Sequence, residues 1–314
     1  METILAKYGE MWLKSEKVRR KFIKKLEQNT KELLLSQGIQ CNVLFLRTYI
    51  LFEFEKKNTE KIQRCIANIA GIHSFFFAHK TNIDEENDFA DIKRKIKEIA
   101  IKELQKEQKF AVRTKREGKH SFKSQDIEIK IGSFICSEFG NKVKLFNPDV
   151  TFFIEIKDSI AWIYTKKYKG IDGLPVGVEG NIISLIRNDK YRDDDIEATI
   201  MIIRRGGELH PIILGKEITE KDFEYIRNSL NKYDAKIAEK IDAIKCLKFQ
   251  SMSFRNKLEK KVQSTKAKAI CIGIRPEDME EYYTSTKWFS QRYICIDRIP
   301  VFLPLIGMDK IQFK

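Results

Sequence analysis

The chain has 314 residues, of which 42% are hydrophobic and 33% charged, and its formal net charge is +14 at pH 7. This hydrophobic fraction excludes an intrinsically disordered chain, and the length is sufficient for two or three domains with their own cores. The sequence has neither a signal peptide nor an apolar run of 18 residues, so we expect a soluble cytoplasmic protein with no membrane partner.

The positive charge lies mainly in the first half of the chain. Residues 1–170 carry 34 Lys and Arg against 23 Asp and Glu, whereas residues 171–314 carry 25 against 22. An excess of +11 on one half predicts that this half binds a polyanion. A lysine-rich, solvated surface without such a partner is the alternative interpretation.

The six cysteines and four histidines show none of the spacings that are typical of metal sites. The sequence contains no C-x-x-C pair and no H-E-x-x-H motif, which are common patterns of zinc sites. We therefore predict no metal site. Scattered free thiols are also typical of a reducing cytoplasm.

The first 80 residues follow the order strand, helix, strand, strand, helix, strand. Hydrophobic periodicity predicts the strands at 4–8, 41–46, 49–54 and 72–78, a helix that follows Ser15 as its N-cap, and a second helix at 59–70. This order is typical of a ferredoxin-like fold. Because that fold carries many functions, the pattern by itself identifies none of them.

A short acidic segment at 82–88 marks a candidate boundary to a second α+β region. Periodicity there predicts helices at 88–105 and 125–139, the latter capped by Ser124, and strands at 109–115, 143–146, 150–156 and 161–168. Residues 170–180 are dense in Gly and Pro, which indicates a linker.

Beyond residue 181, strands and helices alternate. The predicted strands lie at 182–186, 209–214, 245–250 and 269–274, with a last segment at 293–306, and the predicted helices at 195–205, 219–232 and 254–264. This alternation predicts a doubly wound, Rossmann-like α/β domain with a parallel sheet.

The stretch KFAVRTKREGKHSFKS (109–124) carries a dense group of positive charges. Lys and Arg neutralise phosphates, and the rings of His120 and Phe122 could stack on unpaired bases. The alternative is a charged hairpin tip that Phe122 anchors to the core. The pattern alone does not decide between these two interpretations.

The stretch LIRNDKYRDDDIEA (185–198) leads from a predicted buried strand into a predicted helix. Such a connection is where α/β proteins bind phosphates, through the backbone N–H groups of a glycine-rich turn. This stretch contains no glycine, and Asp193, Asp194 and Asp195 lie where the helix should begin. Carboxylates at a helix N-terminus occupy the favourable position of an anion and repel phosphate.

The basic stretch and its surroundings resemble a known family. KFAVRTKREGKHSFKSQDIE (109–128) resembles the signature of a THUMP domain, and most of all that of the tRNA 4-thiouridine synthetases, sulfurtransferases also linked to thiamine biosynthesis. Further stretches resemble this family in the same order: KYGEMWLKS (7–15), NPDVTFFIEI (147–156), GIDGLPVGVEGNI (170–182) and IPVFLPLIGMDK (299–310). The resemblance therefore covers nearly the whole chain.

The resemblance implies a domain organisation. It implies an α+β N-terminal half, with a ferredoxin-like domain at 1–80 and a THUMP domain at 81–169, a linker at 170–180, and a degenerate pyrophosphatase-loop-like α/β domain at 181–314. The last domain would be of the Rossmann-like, adenine-nucleotide-hydrolase type.

The resemblance also implies tRNA, and not DNA, as the partner. In the family, the first two domains bind tRNA and grip its 3′ acceptor end. This role falls on the following residues of the basic stretch: Arg113, Lys115, Arg116, Lys119, His120, Phe122 and Lys123. Arg19 and Arg20 of the first helix are further candidates, for which a solvated helix face is the alternative. A homodimer or a separate modification enzyme are other partners that the sequence leaves open.

Catalysis is where the chain departs from the family. In the active enzymes an S-G-G-x-D-S motif binds the ATP that adenylates the target uridine. The matching residues here form a degenerate nucleotide loop, with Arg187, Asn188, Asp193 and Asp194, and ICIGIRPEDMEE (270–281) lacks the second family motif. We therefore predict a tRNA-binding protein with no catalytic residue, no metal and no ATP. The alternative is an active ATP-dependent tRNA sulfurtransferase that makes 4-thiouridine with an altered nucleotide site.

Overall fold

The structure of the protein, a computed structural model, describes residues 1–246, 252–279, 295–296 and 299–305. It divides into two compact units. The first unit comprises Met1–Ala6, Asn42–Lys56 and Ser74–Tyr168, and the second comprises Lys7–Cys41, Lys57–His73 and Lys169–Lys314. Each unit has its own hydrophobic cores, and the domain boundaries at 80, 169 and 180 stay predictions.

The N-terminal residues confirm the predicted β-α-β-β-α-β order. The elements are β1 (Glu2–Tyr8), α1 (Glu16–Ser36), β2 (Cys41–Phe45), β3 (Ile50–Phe54), α2 (Thr59–Ala67) and β4 (Ile72–Phe77). Ser15 is the N-cap residue of α1, as predicted. The strands belong to a five-stranded sheet of order β2-β3-β1-β4-β9, whose last strand is the short β9 (Tyr168–Lys169).

The second α+β region has a four-stranded sheet of order β5-β8-β7-β6. Its elements are β5 (His79–Asn82), α3 (Ala90–Glu103), β6 (Phe110–Glu117), α4 (Ser124–Phe139), β7 (Val150–Lys157) and β8 (Ile160–Tyr164). β6 and β7 are parallel, and Phe110 lies opposite Val150. Isoleucines of α3 and α4 pack with Phe152 of β7 to form the core of this region.

Three predictions in this region need correction. The predicted strand at 143–146 is wrong, because its only ladder contact is an isolated bridge between Val143 and Phe110. The predicted cap at Ser124 is wrong by one residue, since α4 begins at Ser124 and Lys123 is its N-cap. There the Asp126 carboxylate accepts the backbone N–H of Lys123 at 2.7 Å. The predicted strand at 161–168 is divided into β8 and β9.

The α/β region has a six-stranded sheet of order β12-β11-β10-β13-β15-β14, parallel except for β14. Its elements are β10 (Gly180–Arg187), α5 (Arg192–Arg204), β11 (Gly207–Gly215), α6 (Glu220–Leu230), α7 (Ile237–Lys240), β12 (Asp242–Lys245), α8 (Met252–Thr265), β13 (Ala269–Cys271), β14 (Cys295–Ile296) and β15 (Ile299–Phe302). One hydrophobic core contains residues of α5 and α6 and another contains residues of α8, so a core covers each face of the sheet. The predicted doubly wound α/β fold is confirmed.

Two predicted strands of this region extend beyond the described residues. The strand predicted at 245–250 lies earlier, as β12, and residues 247–250 are outside the described part. The segment predicted at 293–306 contains β14 and β15, while residues 293–294, 297–298 and 306 are outside it. Among the described residues, no helix is long and apolar enough to span a membrane.

Candidate nucleic-acid interface

The strand β6 begins in the core of the first unit and ends at its surface, where it presents basic side chains. Its first three residues, 110–112, are buried, whereas Arg113 and Lys115 are exposed. Ala111 and Arg113 lie on the same face of the strand, because side chains alternate along it. That face therefore changes from buried to exposed within two residues, and its cations reach solvent.

Arg113 also contacts the segment that follows α4. Its Nη2 donates to the carbonyl oxygen of Leu145 at 2.5 Å. This bond uses one of the five N–H donors of the guanidinium, so the group remains able to bind a phosphate. The contact fixes the direction of an exposed side chain.

The turn after β6 is closed by contacts among its own residues. Gly118 adopts a φ of 101°, a conformation that favours glycine. The Nε2 of His120 lies 3.0 Å from the carbonyl oxygen of Glu117, and Nη1 of Arg116 donates to the carbonyl oxygen of His120 at 3.1 Å. A carbonyl only accepts, so this contact places a proton on Nε2 of His120.

Phe122 belongs to the core of the first unit. It is 8% exposed, and its ring packs edge-to-face against Phe89 with 5.1 Å between the centroids. The Arg116 guanidinium lies over this ring, 5.8 Å from its centroid, and the His120 ring is 5.1 Å away. The ring thus offers no open face to a base. This placement corresponds to the anchor that the sequence left as the alternative.

The remaining predicted loop residues lie at the surface. We call Arg113, Lys115, Arg116, Lys119 and Lys123 the basic surface; all are exposed except Arg116, which is half-buried. The one acid of the turn, Glu117, lies 4.0 Å from the ammonium of Lys157. Since this neighbouring cation partly offsets the carboxylate, the basic surface keeps a positive potential.

The two predicted arginines of α1 belong to the second unit. Nη2 of Arg20 pairs with the Glu16 carboxylate at 2.5 Å, and both side chains are more than half exposed. An exposed pair four residues apart on a helix contributes little to stability. Arg19 is half-buried. Whether either arginine contacts RNA stays a prediction.

The junction between β10 and α5, residues 187–195, contains charged groups that are buried and bonded to each other. Arg187 ends β10, and Asp193, Asp194 and Asp195 lie in the first turn of α5, as the sequence predicts. Asp195 is completely buried. Its Oδ2 accepts the backbone N–H and the Nε of Arg187, each at 2.8 Å, and its Oδ1 accepts Nη2 of Arg187 at 2.9 Å.

Gly273, which follows the neighbouring strand β13, binds the Arg187–Asp195 pair through its backbone. Its backbone N–H donates to Oδ1 of Asp195 at 2.8 Å, and its carbonyl accepts Nη2 of Arg187 at 2.5 Å. A Cβ on Gly273 would lie 2.2 Å from the carbonyl oxygen of Asp194. The backbone after β13 therefore touches the first turn of α5.

A second buried arginine, Arg275, also binds residues of α5. Arg275 is 3% exposed; its Nε donates to Asp194 at 2.7 Å and its Nη2 to Glu197 at 2.5 Å. The sequence analysis did not name Arg275, and it named Asp195 only together with its two neighbouring aspartates. The signal in the sequence was the third aspartate of the DDD run, eight residues after Arg187, but the run does not show which aspartate faces inward.

The bonds between Asp195 and Arg187 oppose the effect of burial on their charges. Burial raises the pKa of the Asp195 carboxyl to about 6, although Arg187 and two backbone N–H groups lower it. Burial also lowers the pKa of the Arg187 guanidinium, but the bonds and charge of Asp195 raise it above its usual value. Both groups are therefore charged at neutral pH, which is the state that the bidentate geometry requires.

The other predicted residues of the nucleotide loop have protein partners too. Asn188 donates from Nδ2 to the carbonyl of Glu217 at 3.2 Å, and Asp193 accepts the hydroxyl of Tyr225 at 2.8 Å. Asn188 and Asp193 are thus bound to the neighbouring elements, as Asp195 is bound to Arg187 and Gly273.

Comparisons with known proteins identify the family. Residues 3–75 match the ThiI ferredoxin-like domain, and residues 86–166 match the THUMP domain. A probable tRNA sulfurtransferase of Methanocaldococcus jannaschii is 30% identical over 98% of this chain and 84% of its own length.

Two solved structures have the same fold. The protein PH1313 of Pyrococcus horikoshii has a TM-score of 0.76 at 24% identity, over 99% of this chain and 96% of its own. A 4-thiouridine synthetase, solved as an RNA complex with bound ATP, has a TM-score of 0.69 at 20% identity, over 98% of this chain and 82% of its own. The chain therefore belongs to the tRNA sulfurtransferase family, with a ferredoxin-like domain, a THUMP domain and a parallel α/β domain in that order.

Proposed function

We propose that this protein binds tRNA at its acceptor 3′ end through the basic surface, and that its α/β domain is not catalytic. Family membership supports tRNA as the polyanion, and the 4-thiouridine synthetase of the same fold was solved with RNA. The observation that carries the proposal is the exposure of Arg113, Lys115, Lys119 and Lys123 at the end of β6 and in the turn after it. Phosphate contacts from such cations dominate the affinity for nucleic acid.

Binding of tRNA to the full chain, measured across salt concentrations, tests this function. We expect an affinity that falls steeply with salt and is weaker for tRNA that lacks its 3′ end. The variant Lys115→Ala/Lys119→Ala should bind roughly tenfold more weakly and with a smaller salt slope, because each lost phosphate contact removes about one unit of slope.

The matched control is Lys102→Ala/Lys106→Ala, which removes the same charge from exposed positions at the end of α3 and just beyond it, in the same unit. This control should bind tRNA as the unaltered chain does. Equal losses in both variants would show that net charge alone drives binding. An unchanged affinity in the Lys115→Ala/Lys119→Ala variant would place the RNA site elsewhere.

The α/β domain supports a non-catalytic role through its β10–α5 junction. At such a junction, backbone N–H groups and a helix N-terminus would receive a nucleotide phosphate. Here the N–H groups of Arg187 and Gly273 already donate to the buried carboxylate of Asp195. A triphosphate would have to displace this carboxylate from its partners, so the residues described here do not fit ATP.

The second candidate is an active ATP-dependent tRNA sulfurtransferase. The name of the M. jannaschii relative and the ATP in the synthetase complex favour it. Calorimetry of the full chain with ATP and magnesium separates the two. We expect no saturable heat; saturable binding that an Asn188→Ala/Asp193→Ala variant abolishes would show an ATP site and favour the enzyme instead.

A further inference from the structure

Most of the predicted linker, residues 170–179, is held by backbone hydrogen bonds on two sides. We call this segment the strap. On one side it bonds to the first residues of β4: the N–H of Gly170 donates to the carbonyl of His73 at 2.9 Å, and that of Asp172 donates to the carbonyl of Ile72 at 3.0 Å. A flexible linker would leave these groups to solvent.

On its other side, the strap bonds to the connection between α5 and β11. The N–H of Leu174 donates to the carbonyl of Arg204, the last residue of α5, at 2.9 Å. The N–H groups of Gly177 and Glu179 both donate to the carbonyl of Gly206, at 3.0 and 3.1 Å. The strap therefore joins the start of β4 to the α/β region, within the second unit.

Glycines allow the backbones to approach closely enough for these bonds. Gly173 adopts a φ of 80°, and a Cβ there would overlap the carbonyl oxygen of Arg204. A Cβ on Gly170 would overlap the carbonyl oxygen of Ile72, and one on Gly9 would lie 2.7 Å from the carbonyl oxygen of Gly173. Since any other residue would force these segments apart, the glycines serve close packing and not flexibility.

Side chains of the ferredoxin-like region add to the contact. Nδ2 of Asn29 in α1 donates to the carbonyl of Val176 in the strap at 2.9 Å. Glu32, also in α1, pairs with the ammonium of Lys236, which precedes α7, at 2.6 Å. Ala70, which follows α2, is buried in the hydrophobic core that contains residues of α5 and α6. The helix α1 and the segment after α2 are thus bound to the α/β region.

We propose that the α/β domain is a folding scaffold for the ferredoxin-like helices, and that α1, α2, the strap and the α/β domain open as one cooperative unit. Elements that share hydrogen bonds and a core open together rather than one by one. This unit crosses the boundary between two domains of the family. The proposal concerns the fold of the free chain, so it is independent of the proposed tRNA binding. It gives the α/β domain a function that needs no nucleotide.

The helix α5 extends this unit to the β10–α5 junction. Its first turn contains Asp195, which is bonded to Arg187, and its last residue is Arg204, which is bonded to the strap. A substitution at one end of α5 changes the opening of elements bound at the other end only if they open together. Loss of the Asp195 carboxylate should therefore weaken the protection of α1 against hydrogen exchange.

Native-state hydrogen exchange of the full chain, followed by mass spectrometry at increasing urea concentrations, tests the proposal. In the unaltered chain, we expect the slowest amides of α1 and of α5 to show the same dependence on urea, because one opening event exposes both. The helix α3, in the first unit, is the reference. Amides of α1 with a different dependence on urea from those of α5 would overturn the proposal.

Two substitutions provide a second test. Asp195→Ala should speed the exchange of α1 and α5 by the same factor, more than about tenfold, while that of α3 is unchanged. Gly173→Ala, which forces the strap away from Arg204, should speed the exchange of α1 by about tenfold. Its matched control is Gly140→Ala, because Gly140 has a similar φ of 73° but a Cβ there would meet nothing within 4 Å. This control should leave the exchange of α1 unchanged.

Three other results would overturn the proposal. If Asp195→Ala speeds the exchange of α5 but not of α1, the α/β domain opens alone and is not a scaffold. If Gly173→Ala speeds the exchange of the strap alone, the segment is a linker, as the sequence predicts. An equal change in α3 would show that the whole chain unfolds together, with no role for the strap. The proposed function would stand in each case, since no measurement involves tRNA, and the unaltered chain decides the question should a variant fail to fold.

Discussion

The basic surface and the β10–α5 junction are both rich in charge, but they hold it in opposite ways. Lys115, Lys119 and Lys123 are exposed at the end of β6 and in the turn after it. In the junction, Arg187 is 8% exposed and Asp195 is fully buried, with their charged groups bonded to each other. The first region has charge available to a partner, whereas the second uses its charge within the protein.

This difference shows how charge relates to function in the chain. Exposed cations are weakly held and strongly hydrated, and they attract a polyanion at little cost to the fold. In a buried ion pair, the bonds between the two groups must offset a large desolvation cost. Neither group is therefore available to an external partner. Charge density in a sequence therefore indicates a binding site only where the structure leaves the charged groups exposed.

Among the variants that test the difference between the two regions, we expect Asp195→Ala to lose the most stability. The substitution leaves the Arg187 guanidinium buried without its carboxylate, and breaking a buried pair in this way costs about 3–5 kcal/mol. Urea denaturation should show a loss of this size in the free energy of unfolding. The affinity for tRNA, measured where the variant is still folded, should not change.

Asp193→Ala is the matched control for that substitution. Asp193 lies in the same turn of α5, but the partner of its carboxylate is the hydroxyl of the exposed Tyr225. We expect a loss below about 1 kcal/mol in the free energy of unfolding, as is usual for a partly solvated contact. Similar losses in both variants would show that the buried Arg187–Asp195 pair contributes no more to stability than a partly solvated contact.

Much of the fold was predictable from the periodicity of hydrophobic residues. The β-α-β-β-α-β order and the alternating α/β pattern are confirmed because each element has a buried face that repeats along it. The strand predicted at 143–146 failed for a non-local reason. Its residues alternate as a strand does, but alternation does not provide a neighbour, and only Val143 bridges to β6.

The strand β5, in contrast, forms although hydrophobic periodicity does not predict it. HKTN carries no hydrophobic pattern, and only Thr81 of this strand is buried. The strand forms because β8 offers a free edge, with His79 opposite Ile163. A sequence does not contain this information locally, so periodicity passes over such edge strands.

The candidate sites were predictable only in part. The sequence located both the basic stretch and the loop without glycine, because residue types and order suffice for that. It left the role of Phe122 open, since a phenylalanine next to cations can either stack or anchor, and its 8% exposure favours the anchor. It also did not single out Asp195, because three adjacent aspartates are equivalent until the helix fixes which one faces the core.

The second test compares two glycines, Gly273 beside the junction and Gly132 of α4, in the unit that carries the basic surface. Gly273→Ala would put a Cβ 2.2 Å from the carbonyl oxygen of Asp194, so the backbone must shift at a cost of about 1–3 kcal/mol. Gly132→Ala in α4 meets only Val143 at 4.0 Å and should stabilise the protein by about 0.5–1 kcal/mol, because alanine favours a helix. Thermal unfolding of both variants measures this difference. A Gly273→Ala variant as stable as the unaltered chain would mean that the junction has room for a ligand.

The smallest expected change in stability belongs to the basic surface itself. Lys115→Ala/Lys119→Ala removes exposed side chains, so the free energy of unfolding should change by less than about 0.5 kcal/mol. The same variant should nevertheless lose affinity for tRNA, which separates binding from folding in one protein. A large destabilisation would show that these lysines support the turn, and the weaker binding would then report a distorted loop. Urea denaturation and tRNA titration on one preparation decide between the two, because cations available to a partner must be dispensable for the fold.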